Sequence, residues 1–376
     1  MNNPYMTRLP ADQSPLWKKK GPLLERLDLE LTERCNNHCI HCFINRPAAD
    51  TTAKEKELST DALKKILEQA ASLGCLTVRF TGGEPLLRED FADLYLFARR
   101  LGLKVILFTN ATLITPELAD LLARIPTLER VEISLYGMSR QSYEAVSETP
   151  GSFRAAWQGM GFLLEKNDPF AVKFVILPPN KDDSADFEQW AATIPWMKNA
   201  PSYVLFLDGH ARRDRARQRM INKLRLSPQD GLKILTRRKH EYVQGMRNFC
   251  ARFTRPLGER LFSCGAGLGR GCVDAYGFFQ PCLLLRHPDT VYRLKDGSLK
   301  EALTRFFPGV RELRAQNSDF LAHCARCFLR GLCEQCPAKS WMEHGTLDTP
   351  VKYLCDIAHA RPGFSGWLKA MKKRGK

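Results

Sequence analysis

Residues 35–42 read Cys35-Asn36-Asn37-His38-Cys39-Ile40-His41-Cys42, a C-x3-C-x2-C run that presents three thiols and no fourth. A [4Fe-4S] cluster is ordinarily held by four cysteines. A three-cysteine loop therefore leaves one iron open to chelate a substrate or cofactor, as a catalytic metal is left one ligand short of closure. Taken alone, the same cysteines also permit half of a zinc site or a set of buried thiols.

Outward from this loop, the run Leu76 to Phe80 reads as a strand and is followed by Gly82-Gly83-Glu84-Pro85. Paired glycines admit positive φ and a close backbone approach. The cysteine spacing followed by this glycine motif resembles the signature of the radical SAM superfamily. The resemblance implies that Cys35, Cys39 and Cys42 hold a [4Fe-4S] cluster whose open iron binds S-adenosylmethionine through its amine and carboxylate. It implies that Gly82, Gly83, Glu84 and Pro85 hold the amino group, that His41 stacks on the adenine, and that Asn110 and Ser134 complete the cofactor site. A strand-end serine satisfying its own turn is the other reading of Ser134. Relatives often carry an arginine about twelve residues past that serine; here the position is Val146. The implied reaction is one-electron reduction of S-adenosylmethionine by a protein such as flavodoxin or ferredoxin, giving methionine and a 5'-deoxyadenosyl radical, in an oxygen-sensitive enzyme.

Strand-like runs recur at Leu27 to Leu31, Leu76 to Phe80, Lys104 to Phe108, Arg130 to Leu135, Val172 to Leu177 and Tyr203 to Leu207, rich in β-branched and aliphatic residues. Helix-period stretches with start signals lie between them, such as Ser59-Thr60-Asp61 before Ala62 and Thr115-Pro116-Glu117 before Leu118. Alternation of this kind predicts parallel strands joined by crossover helices. The expected fold is α/β, a partial (β/α)6 TIM barrel followed by a small cysteine-rich α+β iron-sulfur domain. Chemistry in such barrels gathers at the carboxyl ends of the strands. That places the cysteine loop after the first strand, the glycine motif after the second, and Asn110, Ser134, Asn180 and Asp208 after the next four.

A second cysteine group comprises Cys264, Cys272, Cys282, Cys324, Cys327, Cys333, Cys336 and Cys355, with Gly277 five residues before Cys282. It resembles the SPASM domain, with one departure: two residues, not three, separate Cys333 from Cys336. The resemblance implies two auxiliary [4Fe-4S] clusters, one on Cys264, Cys272, Cys282 and Cys336, the other on Cys324, Cys327, Cys333 and Cys355. Both would be closed, which suits electron transfer; a pair of zinc ribbons is the alternative. Cys75 is expected to pack in the core, and Cys250 receives no function.

The chain has 376 residues, 44% of them hydrophobic, and 13 cysteines, enough for two domains with cores. The opening residues show no apolar h-region and no 18-residue apolar stretch occurs. Thiols in a reducing cytoplasm read as metal ligands, so a cytoplasmic location is expected. The expected division is an N-terminal extension at 1–23, the barrel at 24–211, a basic linker at 212–245, the SPASM-like domain at 246–357 and a basic tail at 358–376. From Arg212 to Lys239 eleven Lys or Arg face two Asp, within a net charge of +16. Such a run is either a solvated face or a docking surface for an acidic peptide or nucleic acid. The tail carries Phe364, Trp367 and Leu368 among basic residues and suits a capping helix or a membrane surface.

SPASM-bearing relatives mostly modify peptides or proteins, so the resemblance implies a peptide or protein substrate that is oxidised or crosslinked. The short stretch before the barrel leaves a leader peptide to bind the basic linker, a C-terminal surface or a separate protein. In the sulfatase-maturating branch an aspartate follows the cysteine matching Cys282; here it is Leu283, and Asp274 or Asp208 is left as the candidate base. Radical chemistry on RNA or on a small molecule such as a carbohydrate, and a non-catalytic iron-sulfur electron carrier, are the alternatives.

Overall fold

The computed structural model describes residues 23–197, 202–208, 210–237, 239–253, 258–327, 329–330 and 332–361. The expectations for the extension before residue 23 and for the tail beyond residue 361 lie outside them.

Six parallel strands follow the expected runs to within a few residues: β1 (Leu24–Thr32), β2 (Thr77–Gly82), β3 (Lys104–Thr109), β4 (Leu128–Leu135), β5 (Phe170–Val175) and β6 (Ser202–Val204). The crossovers carry α1 (Thr60–Ser72), α2 (Phe91–Arg100), α3 (Pro116–Arg124), α4 (Arg140–Ser147), α5 (Ser152–Glu165) and α6 (Ser184–Thr193). The start signals act as the sequence predicts, since the Ser59 and Thr115 side chains accept from Ala62 N and Leu118 N, satisfying backbone donors that a helix start leaves open. Period-two alternation sorts the strand residues. Leu27, Leu29 and Leu31 of β1 and Val78 and Phe80 of β2 are fully buried in the main apolar core.

The other face of the sheet is charged. Arg79 on β2 reaches Asp28 on β1 at 3.2 Å and lies over the Phe108 ring at 4.4 Å. Lys173 on β5 sits 4.5 Å from the same ring and 2.5 Å from Glu132 on β4. Burial outweighs the neighbouring Arg26 at Asp28 and raises its carboxyl to about 6.

The second half of the chain extends the same sheet instead of building a separate one. Strand β7 (Gly269–Val273) pairs parallel to β1, and β8 (Phe278–Gln280) and β9 (Tyr292–Arg293) follow antiparallel. The resulting order is β9-β8-β7-β1-β2-β3-β4-β5-β6, an open sheet with β6 and β9 at its ends. The fold class is therefore as expected, with the cysteine-rich region continuous with the barrel. Gly277, at φ +85°, makes the turn between β7 and β8, a backbone conformation that costs glycine little.

The basic run is helical: α7 (Arg215–Lys223), α8 (Pro228–Thr236) and α9 (Lys239–Phe253). It is not simply a solvated face. Arg212 binds Glu30 and Glu33, Arg213 binds Glu33, and Arg225 pairs with Glu343. Among the described residues, no helix is long and apolar enough to cross a membrane.

Candidate active site

The cysteine loop leaves the carboxyl end of β1 and is fixed by backbone contacts on two sides. His38 N and Ile40 N donate to the Ser147 and Val146 carbonyls at the end of α4, at 3.0 and 2.9 Å. Val146, at the position where relatives carry arginine, is thus a buried residue whose carbonyl holds the loop. From the other side Arg217 on α7 donates to the Cys39 and Cys42 carbonyls at 2.5 and 2.9 Å. Three N–H groups reach the sulfurs: Asn37 N and Asn110 Nδ2 to Cys35 at 3.4 and 3.8 Å, and Asn45 N to Cys42 at 3.3 Å.

Gly82 and Gly83 make the close backbone approach that paired glycines permit. Gly83 N and Glu84 N donate at 2.8 Å to the Thr32 and Arg34 carbonyls. A Cβ on Gly82 would lie 2.0 Å from Thr32 O, and one on Gly83 2.2 Å from Arg34 O. The glycines let the second strand end pack directly on the base of the cysteine loop. Gly83→Ala is expected to lose about 1–3 kcal/mol of stability, as overpacking does, and to retain less iron, measured by urea midpoint and iron assay. An unchanged midpoint would contradict the close approach.

Glu84 is wholly buried. Its carboxylate accepts from Thr109 Oγ1 at 2.9 Å, Asn110 N at 2.8 Å and Leu86 N at 3.1 Å, while burial still raises it to about 7. Three of roughly four acceptor positions are therefore spent in clamping β3 and Pro85, with one left for a cofactor amine. Asn110 also donates to Asn36 Oδ1 at 3.0 Å. Ser134 lies on the charged inner face of β4, in register with Lys173. His41 meets Tyr136 edge-on, ring centroids 5.4 Å apart.

Several features fit an iron-sulfur cluster at this loop. Both side-chain polar atoms of buried Asn37 and the Nδ1 of His41 lack a partner, and buried polar groups ordinarily have one. Burial, with the Glu84 charge second, pushes the Cys35 thiol up to about 12, and burial also raises Cys39. Without metal the thiols stay neutral, so metal binding must release their protons. Among the described residues no three His, Cys, Asp or Glu side chains converge tightly enough for a single ion. Cubane ligands stand farther apart because each binds its own iron.

The other described cysteines divide into two groups, with Cys272 and Cys75 outside both. Cys324, Cys327, Cys333, Cys336 and Cys355 line one cavity of about 440 Å³. Electrostatically, Cys355 is raised by burial and then by Cys333 and Cys327, whereas Cys282 is raised by burial and then by Cys336 and Cys264. Cys336 lies between the two groups: it lines the cavity of the first and is electrostatically next to Cys264 and Cys282. Cys272 does not join them. It faces inward from β7, in register with Asp28, and burial and the Glu30 carboxylate raise its thiol. Cys75 is buried, with its sulfur 3.3 Å from Thr77 O.

The candidate bases fare unequally. Asp274 accepts from Tyr276 N, Phe278 N, Gln280 Nε2 and Arg286 Nη1 at 2.9 to 3.1 Å. Its oxygens are filled by the β7–β8 turn, which corrects its reading as a base. Asp208 is paired with Lys339 at 3.3 Å and remains partly exposed. Sequence reasoning missed Glu33, which joins Arg212, Arg213 and the Tyr276 hydroxyl. A charged residue two positions before Cys35 was the available signal.

The family model of the radical SAM superfamily matches residues 29–193. The chain carries a radical SAM domain. An AdoMet-dependent heme synthase of Methanosarcina barkeri is 32% identical over 154 residues, 41% of this chain and 43% of that protein. A PqqA peptide cyclase of Bradyrhizobium diazoefficiens is 34% identical over 161 residues, 43% of this chain and 41% of that protein. The matched segments thus span less than half of these relatives. Streptococcus suis SuiB, solved bound to the precursor peptide SuiA, superposes with a TM-score of 0.62 at 17% identity, covering 88% of this chain and 76% of that one. The shared fold runs well beyond the radical SAM domain, into the half of the chain whose cysteine pattern resembles SPASM.

Proposed function

We propose that this protein cleaves S-adenosylmethionine reductively at a cluster held by Cys35, Cys39 and Cys42, and uses the resulting radical to abstract hydrogen from a peptide or protein. One observation carries the reading: a loop of three thiols, one short of a closed set, is packed against the glycine motif at the carboxyl ends of the barrel strands. When bound, the cluster would supply the electron that breaks the carbon–sulfur bond. The chain's own residues hold and shield: Arg217 and α4 fix the loop, Asn37, Asn45 and Asn110 donate to sulfur, and His41 and Tyr136 wall the site against water. Cys324, Cys327, Cys333 and Cys355 would hold one auxiliary cluster, and Cys264, Cys282 and Cys336 supply three ligands of another.

The match to a PqqA peptide cyclase supports a peptide substrate. The match to a heme synthase favours a second reading, a small-molecule substrate. Anaerobic incubation with dithionite and S-adenosylmethionine is expected to yield 5'-deoxyadenosine and methionine in equal amounts. Clusters without this product would identify an electron carrier instead.

A further inference from the structure

A cavity of about 680 Å³ opens beside the cysteine loop, walled by the start of α7, by Arg286 and by Trp341. Its connection to the loop is direct: Arg212 N donates to Phe43 O at 2.9 Å, one residue past Cys42. Five arginines line it, Arg212, Arg213, Arg215, Arg219 and Arg286, against two acids, Asp214 and Glu343.

Much of this charge is matched inside the protein. Arg212 and Arg286 bind Glu30, Arg212 and Arg213 bind Glu33, and Arg286 also binds Asp274. Asp214 caps α7 by accepting from Ala216 N at 2.7 Å, and Glu343 pairs with Arg225. Arg215 and Arg219 are left with no ion pair among the described residues.

Their positions break two local rules. They stand four apart on one helix, where like charges repel, and Arg215 occupies the first turn, where the helix dipole disfavours a cation. The arrangement costs the helix and gains it nothing internally. Arg212, at the cavity wall, is by contrast already spent: its side chain is only 5% exposed and its terminal nitrogens hold Glu30 and Glu33.

We propose that this cavity binds the carboxylates of the substrate, captured by Arg215 and Arg219. Guanidinium forks match carboxylate oxygens in pairs, and Trp341 offers an apolar wall beside them. The proposal rests on the proposed function for its reaction and deepens it by naming the substrate as carboxylate-bearing. Acidic side chains of a peptide and carboxylates of a small molecule share this chemistry.

The test uses the anaerobically reconstituted full chain and two probes, fluorescein-labelled hexaglutamate and unlabelled benzene-1,2,4,5-tetracarboxylate, followed by fluorescence anisotropy. Hexaglutamate should bind, hexaglutamine should not, and binding should weaken steeply with salt. Arg215→Glu with Arg219→Glu should weaken it about tenfold or more, the scale of two lost exposed pairs plus repulsion. Arg215→Lys with Arg219→Lys should recover part of it. The pair Arg124→Glu and Lys166→Glu makes the same change in net charge elsewhere and should leave binding intact. Displacement of the peptide by the tetracarboxylate assigns the site to small carboxylated molecules as well; no displacement assigns it to peptides. Iron content and circular dichroism identify any variant that fails to fold, in which case the Arg215→Gln, Arg219→Gln protein replaces it. Equal loss in both charge-reversal pairs, or tighter binding of an oligouridylate than of hexaglutamate, would overturn the proposal. Formation of 5'-deoxyadenosine in the same preparation is scored separately, so failed peptide binding with intact cleavage sinks only the pocket, and absent cleavage sinks the reaction.

Discussion

The Cys39→Ala protein, reconstituted anaerobically, should lose about four of roughly twelve irons, one cubane's worth of three, and form no detectable 5'-deoxyadenosine. Cys39 is 5% exposed and lies in a loop clamped by α4 and Arg217, so no neighbouring side chain can swing in to replace its sulfur. With two of three ligands left, the cluster has two open irons and no fixed orientation, and cleavage should fall at least about a thousandfold, as when one member of a group acting as a unit is removed. The remaining irons should persist, because the other cysteines line cavities away from this loop. Iron assay and product chromatography decide it. Full iron retention would show that the loop holds no cluster, and stoichiometric zinc without iron would make it a half zinc site.

How far the sequence was legible depended on whether a signal was local. The six strand runs, the Ser59 and Thr115 caps and the two motifs each sit within a short window, and each appears where it was read. Gly277 was noted only for its distance from Cys282, yet that distance is a hairpin turn followed by a strand. Pairing across the chain was not legible. Arg212 meets Glu30 over a separation of 182 residues and Arg286 meets it over 256, so a run of basic residues could not reveal that several point inward. A partial signal existed: Arg26, Asp28 and Glu30 alternate with leucines along β1, which puts three charges on a buried face and demands partners. Cys272 escaped for the same reason. Its place in a list of cysteines suggested a ligand, whereas strand alternation turns it toward Asp28 and Glu30.

That buried network yields the second large effect. Arg212→Met should destabilise the protein by about 3–5 kcal/mol, the cost of leaving one side of a buried ion pair unmatched. Glu30 and Glu33 are 1% and 2% exposed, and Arg212 reaches both. Burial alone would raise the Glu30 carboxyl, but Arg212 and then Arg286 outweigh it, so the folded value lies below the ordinary one. The sign follows: the stability Glu30 contributes is present above its unfolded pKa, near 4.5, and is lost as pH falls through the lower folded value. Without Arg212 that acid-side loss should shrink, because less of the depression remains. Glu33→Gln in the Arg212→Met background should restore part of the stability, since it removes a buried charge that Arg213, Arg46 and the Tyr276 hydroxyl must otherwise hold without Arg212. Urea midpoints for the two single variants and the double variant measure the coupling. Strictly additive losses would mean that the side chains act independently, and the link from the end of β1 through α7 to the β7–β8 turn would then not be what holds the cysteine loop over the barrel mouth.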